Sequence, residues 1–229
     1  MDQGRDRGRT NLTDSLDQVY AQRFPESSAM ERGKLWRPVV RYLQRFIDRP
    51  GAVLDLACDH GDFIRNIQAE EKWATDIRDV SGFLPKDVQF VRADGLALAE
   101  HLPNRHFDAI FMSNYLEHLP DPGDVIRQFE VCARLLRRGG RVIVLQPNIR
   151  LVGGRYWDFI DHKVALTERS LTEAAGLAGF ETVKLIVRFL PYTTQSRLPH
   201  HPALVSGYLR LPLAWRVMGK QTLYVGGAR

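Results

Sequence analysis

The sequence predicts an α/β fold: a mostly parallel sheet of seven strands, helices on both faces, and an antiparallel last strand. Three observations predict it. From Ala52 onward, short apolar runs alternate with amphipathic stretches, the pattern of a parallel sheet covered on both sides. The run Ala52–Leu56 breaks into a small-residue turn, Ala57-Cys58-Asp59-His60-Gly61, followed by a helix-like segment. Strand, tight turn and helix start bring backbone N–H groups up against a small anionic or polar ligand. A second carboxylate, Asp76, ends the next apolar run 21 residues after Asp55. That is near the spacing at which a second-strand acid meets a ribose in nucleotide-binding sheets.

The elements follow in chain order. Residues 1–11 are rich in Gly, Arg and Asp and read as a disordered tail. Residues 12–50 read as an N-terminal helical cap. Thr13 can cap a short helix whose Leu16, Val19, Tyr20 and Phe24 fall at helical spacing, and Pro25 ends it. A second amphipathic helix, 31–47, turns Leu35, Trp36, Val39, Val40, Leu43, Phe46 and Ile47 inward. Pro38 within it marks either its true first turn or a kink. The remaining domain, 51–229, has strand candidates at 52–56, 72–76, 88–92, 107–113, 140–146, 182–188 and 221–226. Its helix candidates are 62–69, 95–101, 123–137 and 168–178. Gly139-Gly140 stops the helix carrying Leu135 and Leu136 and opens a buried strand. Only a Pro/Leu-rich segment separates the last two strands, so the sheet is expected to finish with an antiparallel pair.

Composition bounds the function. At 229 residues, 44% hydrophobic and 26% charged, the chain can bury a real core. A net charge of +5 permits an anionic partner without demanding one, and the chain has no Lys/Arg run of the nucleic-acid kind. Cys58 and Cys132 have no metal spacing and read as reduced thiols, which points to the cytoplasm. The opening MDQGRDRGRTN lacks the apolar core of a secretory signal. Any membrane contact is expected to be peripheral, because no apolar stretch approaches the ~18 residues a span needs.

The motifs point to one end of the sheet. VQFVRADGLAL ends a strand in Asp94-Gly95, and FDAIFMSNYLEHLPDP ends another in Ser113-Asn114 before Glu117-His118. In an open parallel sheet, ligands bind at the C-terminal ends of the strands. Asp55 with Gly61, then Asp76, Asp94 and Asn114, would close the first four strands in turn. Carboxylates for ribose and adenine, and a glycine turn beside a zwitterion, suit S-adenosylmethionine better than a pyrophosphate. A dinucleotide would need a glycine-rich turn, and Ala57 and Asp59 occupy those positions.

These motifs resemble the class I, Rossmann-like S-adenosylmethionine-dependent methyltransferases. VLDLACDHGDF is similar to their cofactor loop, ATDIR to the ribose segment and RADGLAL to the adenine edge. FDAIFMSNYLEHL and LLRRGGRVIVLQPN are similar to the fourth and fifth strands, and the match covers residues 35–190. The resemblance implies cofactor contacts from Asp55, Ala57, Asp59, Gly61, Phe63, Asp76, Ile77, Asp94, Gly95 and Asn114. It also implies that Tyr20, Arg32 and Trp36 sit in leading helices that fold over the cofactor. Tyr20 or Arg32 would meet the methionine carboxylate, whereas core packing suits Trp36. S-adenosylhomocysteine is the implied product. The family loop carries two more glycines, where this chain has Ala57 and Asp59; Asp59 either meets the cofactor's ammonium or marks a relaxed loop. The tail, with PNIR, GGRYWDFIDH and YLRLPLAWRVMGKQTLYV, resembles a bacterial branch that often accompanies polysaccharide-building enzymes. By that association the acceptor is a small molecule such as a sugar, sugar nucleotide or glycoside.

On the acceptor side, Tyr156-Trp157-Asp158-Phe159-Ile160-Asp161-His162 follows the fifth strand, in an insertion at 150–166. Tyr156 and Trp157 are candidates to bind a ring, and His162 beside Asp161 to take a hydroxyl proton, with His118 as a second candidate base. The alternative is a packed aromatic cluster with a surface histidine. No metal is expected: Glu117-His118 is a poor ligand set alone, and its upstream partner is Asn114 rather than an acid. Residues 191–219 read as a lid, as an interfacial patch, or as plain packing on the sheet. The expected chemistry is O-methylation by a monomer or homodimer, with no nucleic-acid partner. The rival acceptor is a natural-product or quinone-like lipid scaffold, and a rival of another class is a non-catalytic nucleotide-binding regulator.

Overall fold

A computed structural model describes residues 29–47, 51–192 and 201–229. The tail at 1–11, the helix expected at 13–24 and Tyr20 lie outside the described residues.

The first described helix, α1 (Ala29–Leu43), continues through Pro38 and ends in a 3-10 turn, Gln44–Phe46. Four parallel strands form the first part of the sheet: β1 (Ala52–Leu56), β2 (Glu71–Asp76), β3 (Val88–Arg92) and β4 (Phe107–Ser113). A short helix, α2 (Leu98–His101), precedes β4. After it come α3 (Pro122–Leu135) and β5 (Leu136–Pro147). Next are a single turn, α4 (Ile149–Val152), and α5 (Glu168–Leu177). The chain finishes with β6 (Glu181–Leu190), α6 (Pro202–Arg210), α7 (Pro212–Met218) and β7 (Gln221–Gly227).

The sheet has seven strands in the order β3-β2-β1-β4-β5-β7-β6. Neighbours from β3 to β5 pair in parallel, and β7 runs antiparallel between β5 and β6. The expected antiparallel finish is present, with β7 inserted beside β5 rather than appended at the edge. The strand order reverses between β1 and β4, which opens a crevice at their C-terminal ends.

Both sheet faces are apolar because strand side chains alternate. Leu54, Leu56, Ile110, Met112, Val142 and Val144 pack beneath Leu98 of α2, Val125, Phe129 and Cys132 of α3, and Leu171 of α5. Val53, Ala109, Phe111, Ile143 and Leu145 face the other way, against Val39, Val40 and Leu43 of α1, Leu209 of α6 and Trp215 of α7. Local chemistry starts the helices where the sheet needs them. The Asp121 carboxylate accepts from Asp124 N–H ahead of Pro122, and Thr167 with Ser170 forms a capping box for α5.

Two expected elements differ. Residues 62–69 are a series of turns instead of a helix. The Asn66 side chain donates to Asp62 O at 2.9 Å and Gly33 O at 3.0 Å, while its backbone N–H goes to Phe63 O. A side chain has therefore taken the carbonyl that the helical ladder would use. The helix expected to run to residue 137 stops at Leu135, and Leu136 already pairs with Phe107. Arg105 and His106 N–H groups cap the Arg134 and Leu135 carbonyls, ending the helix before the glycines. Gly139, at φ 77°, is a bend inside β5.

A candidate methyl-transfer site

The turn after β1 is held open by unusual backbone. Ala57, Asp59 and Gly61 have φ of 55°, 47° and 71°. An L-residue in this region costs ~1–2 kcal/mol, so the surroundings must fix it. Cys58 N–H donates to Thr75 O and Asp59 N–H to Asp76 Oδ2 at 3.1 Å, which ties the turn to β2. A Cβ at Gly61 would be strained by the φ of 71° and would lie 2.5 Å from Leu84 Cδ2, so the leucine side chain would have to shift. Asp55 is buried and accepts from Ile64 N–H at 3.2 Å, so it organises the turn from below. Burial raises its pKa well above the ordinary carboxylate range, and that one hydrogen bond only partly opposes the shift. Phe63 is buried and stacked on Phe111 at 4.0 Å. Its ring is part of the core cluster beneath α1.

Asp76 closes β2 with only 6% of its surface exposed. Its Oδ1 accepts from Arg78 N–H at 2.9 Å and from Arg78 Nε at 3.2 Å. Arg78 also donates to Asp59 Oδ1 at 2.9 Å. Asp59 in turn meets His60 Nδ1 at 2.9 Å and Arg32 at 3.4 Å, and Arg32 Nε pairs with Asp62 at 3.1 Å. Burial acts to raise the Asp59 pKa, but His60, Arg78 and Arg32 outweigh it and hold the carboxyl well below its usual range. Asp59 is thus committed to a local ion network, and Arg32 reaches that network from α1. Sequence reading missed Arg78. The only signal was a guanidinium two residues past Asp76, in a chain that carries an acid, Asp59, in the turn.

The remaining strand ends complete one rim. Strand register places Leu56 beside Thr75 and Met112, and Asp76 beside Arg92. Ile77 is 49% exposed next to Asp76. Asp94 is exposed and caps its own turn, accepting from Leu96 N–H at 2.9 Å. Gly95 lies under Tyr115, whose hydroxyl donates to Gln128 at 2.8 Å. Asn114 is exposed with φ 47°, and its Oδ1 accepts from Gln221 at 3.4 Å.

Beyond Asn114, Leu116–His118 forms a 3-10 turn. His118 Nδ1 lies 3.1 Å from Asp161 O and 3.3 Å from Asp161 Oδ2. Both oxygens only accept, so Nδ1 carries a hydrogen, and it is Nε2 that holds the lone pair whenever the ring has one. The His118 and His162 rings are 5.0 Å apart. Asp161, the chain neighbour of His162, presents its carbonyl and carboxylate to His118 across 43 residues of chain. Glu117 is buried and accepts from Gln146 at 3.0 Å; burial raises its pKa, and His118 opposes the shift. Ligating atoms of Glu117, His118 and His162 all lie within 4.8 Å of one another, a convergence not expected from Glu117-His118 alone. Tyr156 is buried and its hydroxyl donates to Val164 O. Its ring packs inside the segment after β5, against Trp157 and His162. Trp157 is 53% exposed and meets the Tyr156 ring in a T-shaped contact at 5.2 Å.

Comparison with known proteins agrees with this geometry. Residues 29–185 match the family described as "Methyltransferase domain". A stretch of 77 residues is 41% identical to the ubiquinone biosynthesis O-methyltransferase of Pseudomonas entomophila (strain L48), covering 31% of this chain and 32% of that protein. The chain therefore matches about a third of the length of that curated relative. Among solved structures, an S-adenosylmethionine-dependent methyltransferase from Archaeoglobus fulgidus superposes with a TM-score of 0.62 at 17% identity, over 92% of this chain and 99% of that one. Geranyl diphosphate C-methyltransferase from Streptomyces coelicolor A3(2), solved with Mg2+ and S-adenosyl-L-homocysteine, gives 0.59 at 12% identity, over 83% and 75%. With its family match spanning most of its length and its sheet in the order β3-β2-β1-β4-β5-β7-β6, this chain belongs to the methyltransferase-domain family, in the Rossmann-like class I fold of enzymes that use S-adenosylmethionine.

Proposed function

We propose that this chain transfers a methyl group from S-adenosylmethionine to a hydroxyl oxygen of a small organic acceptor. The observation that carries the reading is the meeting, at one end of the sheet, of a carboxylate-lined rim and a histidine oriented by Asp161. The rim fits the cofactor. Asp76 is a buried carboxylate at the end of β2, suited to two ribose hydroxyls. Asp94 and the exposed Ile77 would hold the adenine. Asn114 and the Ala57–Gly61 turn, with Arg32 above them, would face the amino-acid portion. When bound, the cofactor supplies an electrophilic methyl group and a neutral leaving group.

The chain's own residues then align and deprotonate the acceptor. Asp161 fixes the His118 ring, leaving Nε2 to accept the hydroxyl proton. His162, packed against Tyr156 and Phe159, is the second candidate. For the acceptor, the local likeness to a ubiquinone biosynthesis O-methyltransferase supports a hydroxyl on a quinone-like ring. A sugar or glycoside is the second reading, favoured by the exposed face of Trp157.

The test is mass spectrometry of purified chain with cofactor and a panel of phenols, quinols, glycosides and sugar nucleotides. A gain of one CH2 on one of them is expected. His118→Ala should lower turnover of that acceptor by ~10²–10⁴-fold with cofactor affinity unchanged. Full turnover in that variant removes His118 as the base.

A further inference from the structure

The helical pair α6–α7 buries one face and leaves the other apolar. Inward, Val205, Tyr208, Leu209 and Trp215 pack into the cluster beneath α1 and β6. Tyr208 donates its hydroxyl to Phe189 O at 2.6 Å, and Trp215 Nε1 donates to Tyr208 O at 2.8 Å. At the far end, a Cβ on Gly219 would lie 2.5 Å from the backbone of Arg188. The pair is therefore fixed against the sheet by both faces of its turn, and its outer surface has a defined shape.

That outer surface is aliphatic and basic. Leu204, Leu211, Leu213 and Val217 are 54%, 60%, 74% and 80% exposed. Leu213 and Val217 share one side of α7 with the exposed Arg216, and Arg210 is exposed beside Leu211. The segment 201–220, HPALVSGYLRLPLAWRVMGK, contains Arg210, Arg216 and Lys220 and no Asp or Glu. Among the described residues, Arg210 and Arg216 form no ion pair. No described helix is long and apolar enough to cross a membrane.

Its position matters as much as its chemistry. The pair connects the end of β6 to the start of β7, where Leu190 and Gln221 are register partners. Gln221 donates to Asn114, which closes β4 on the cofactor rim. The aliphatic surface therefore rises from the same sheet edge as the candidate site. Ile160, 91% exposed, and Trp157 project from the segment after β5 at that end of the sheet.

We propose that the α6–α7 face docks the protein onto an anionic bilayer surface. Exposed aliphatic side chains flanked by Arg210 and Arg216, on a segment without acids, match the interfacial layer of such a bilayer in both polarity and charge. A protein partner would call for large aromatic anchors or matching acids, and the exposed face of α6–α7 offers neither. The proposal does not depend on the methyl acceptor being a lipid.

The test is vesicle flotation of the full chain at low salt. Vesicles of phosphatidylcholine alone are compared with an equal mixture of phosphatidylcholine and phosphatidylglycerol. Wild type is expected to float with the mixed vesicles and to remain largely free with the neutral ones. Arg210→Gln with Arg216→Gln should weaken partitioning by roughly 30-fold. Leu213→Ser with Val217→Ser should abolish flotation, and its unchanged melting curve would show that the exposed positions do not carry the fold. Three results overturn the proposal: no flotation with either vesicle, flotation untouched by Leu213→Ser with Val217→Ser, or a concentration-dependent dimer that this pair of changes breaks without any vesicle binding.

Discussion

Replacing Arg78 with methionine should tighten cofactor binding while weakening the fold. The proposed reading gives the Asp76 carboxylate to the ribose hydroxyls, yet Arg78 contacts it at 3.2 Å through Nε and 3.4 Å through its terminal nitrogen. Both distances exceed the 2.7–2.9 Å of strong charge-assisted bonds. Their combined hold is therefore about 1–1.5 kcal/mol, near the low end for bonds to charged groups. Any ligand that claims Asp76 pays this to displace the guanidinium, so deleting it should lower Kd about tenfold. The Arg78 N–H, at 2.9 Å from Asp76 Oδ1, survives the change and keeps the carboxylate aimed. The 2.9 Å bond to Asp59 is lost, and with it a clasp across the turn, since the two side chains are only 13% and 29% exposed. That loss should cost ~1–3 kcal/mol of stability, because Asp59 is left with fewer partners. Removing one positive charge should also help the cationic S-adenosylmethionine more than the neutral-sulfur S-adenosylhomocysteine. Calorimetric titration with both ligands, beside a melting curve, reads all three effects. Weaker binding that falls in step with the melting temperature would refute the reasoning, because it would make Arg78 a holder of the cofactor instead of a competitor.

Two further outcomes follow from buried contacts. Gly95→Ala would drive a Cβ into the Tyr115 hydroxyl and to 2.8 Å from Gln128 Oε1, so it should break their hydrogen bond and cost ~1–3 kcal/mol, read as a lower melting temperature. An unchanged melt would mean that Tyr115 does not need its place over the turn. The Glu117 carboxyl has its pKa raised by burial, so the folded state favours the protonated form. Its stabilising contribution is present below the ordinary glutamate value of about 4.3 and is lost as pH rises through the higher folded value. Glu117→Gln should therefore raise the melting temperature at pH 8 and change it little at pH 4, and the reverse order would contradict the assignment.

The strands were legible because each is a short, largely apolar run bounded by turn or polar residues. Ala52–Leu56, Val88–Arg92 and Phe107–Ser113 begin and end where the sequence places them. The rim was legible for the same reason: a carboxylate at a strand end has only one edge of a parallel sheet to occupy. What stayed hidden depends on contacts between distant residues. Spacing cannot show that Asn66 takes Asp62 O away from a helix, or that Arg105 and His106 end α3 early. Nor can it show that Asp161 faces His118 when His162 is its chain neighbour. Tyr156 and Trp157 are adjacent and aromatic, yet one is fully buried and the other half exposed. Composition reads them as equals, and only the packing of the segment after β5 separates them. Arg78 was hidden because its role depends on Asp59 adopting left-handed backbone beside β2.

The central claim is that the strand-end carboxylates receive the nucleoside of S-adenosylmethionine. A crystal structure of the chain grown with S-adenosylhomocysteine tests it most directly. The account predicts both ribose hydroxyls donating to Asp76, with the Arg78 guanidinium withdrawn from that carboxylate and retained on Asp59. A nucleoside bound elsewhere, with the Arg78–Asp76 pair intact, would contradict it.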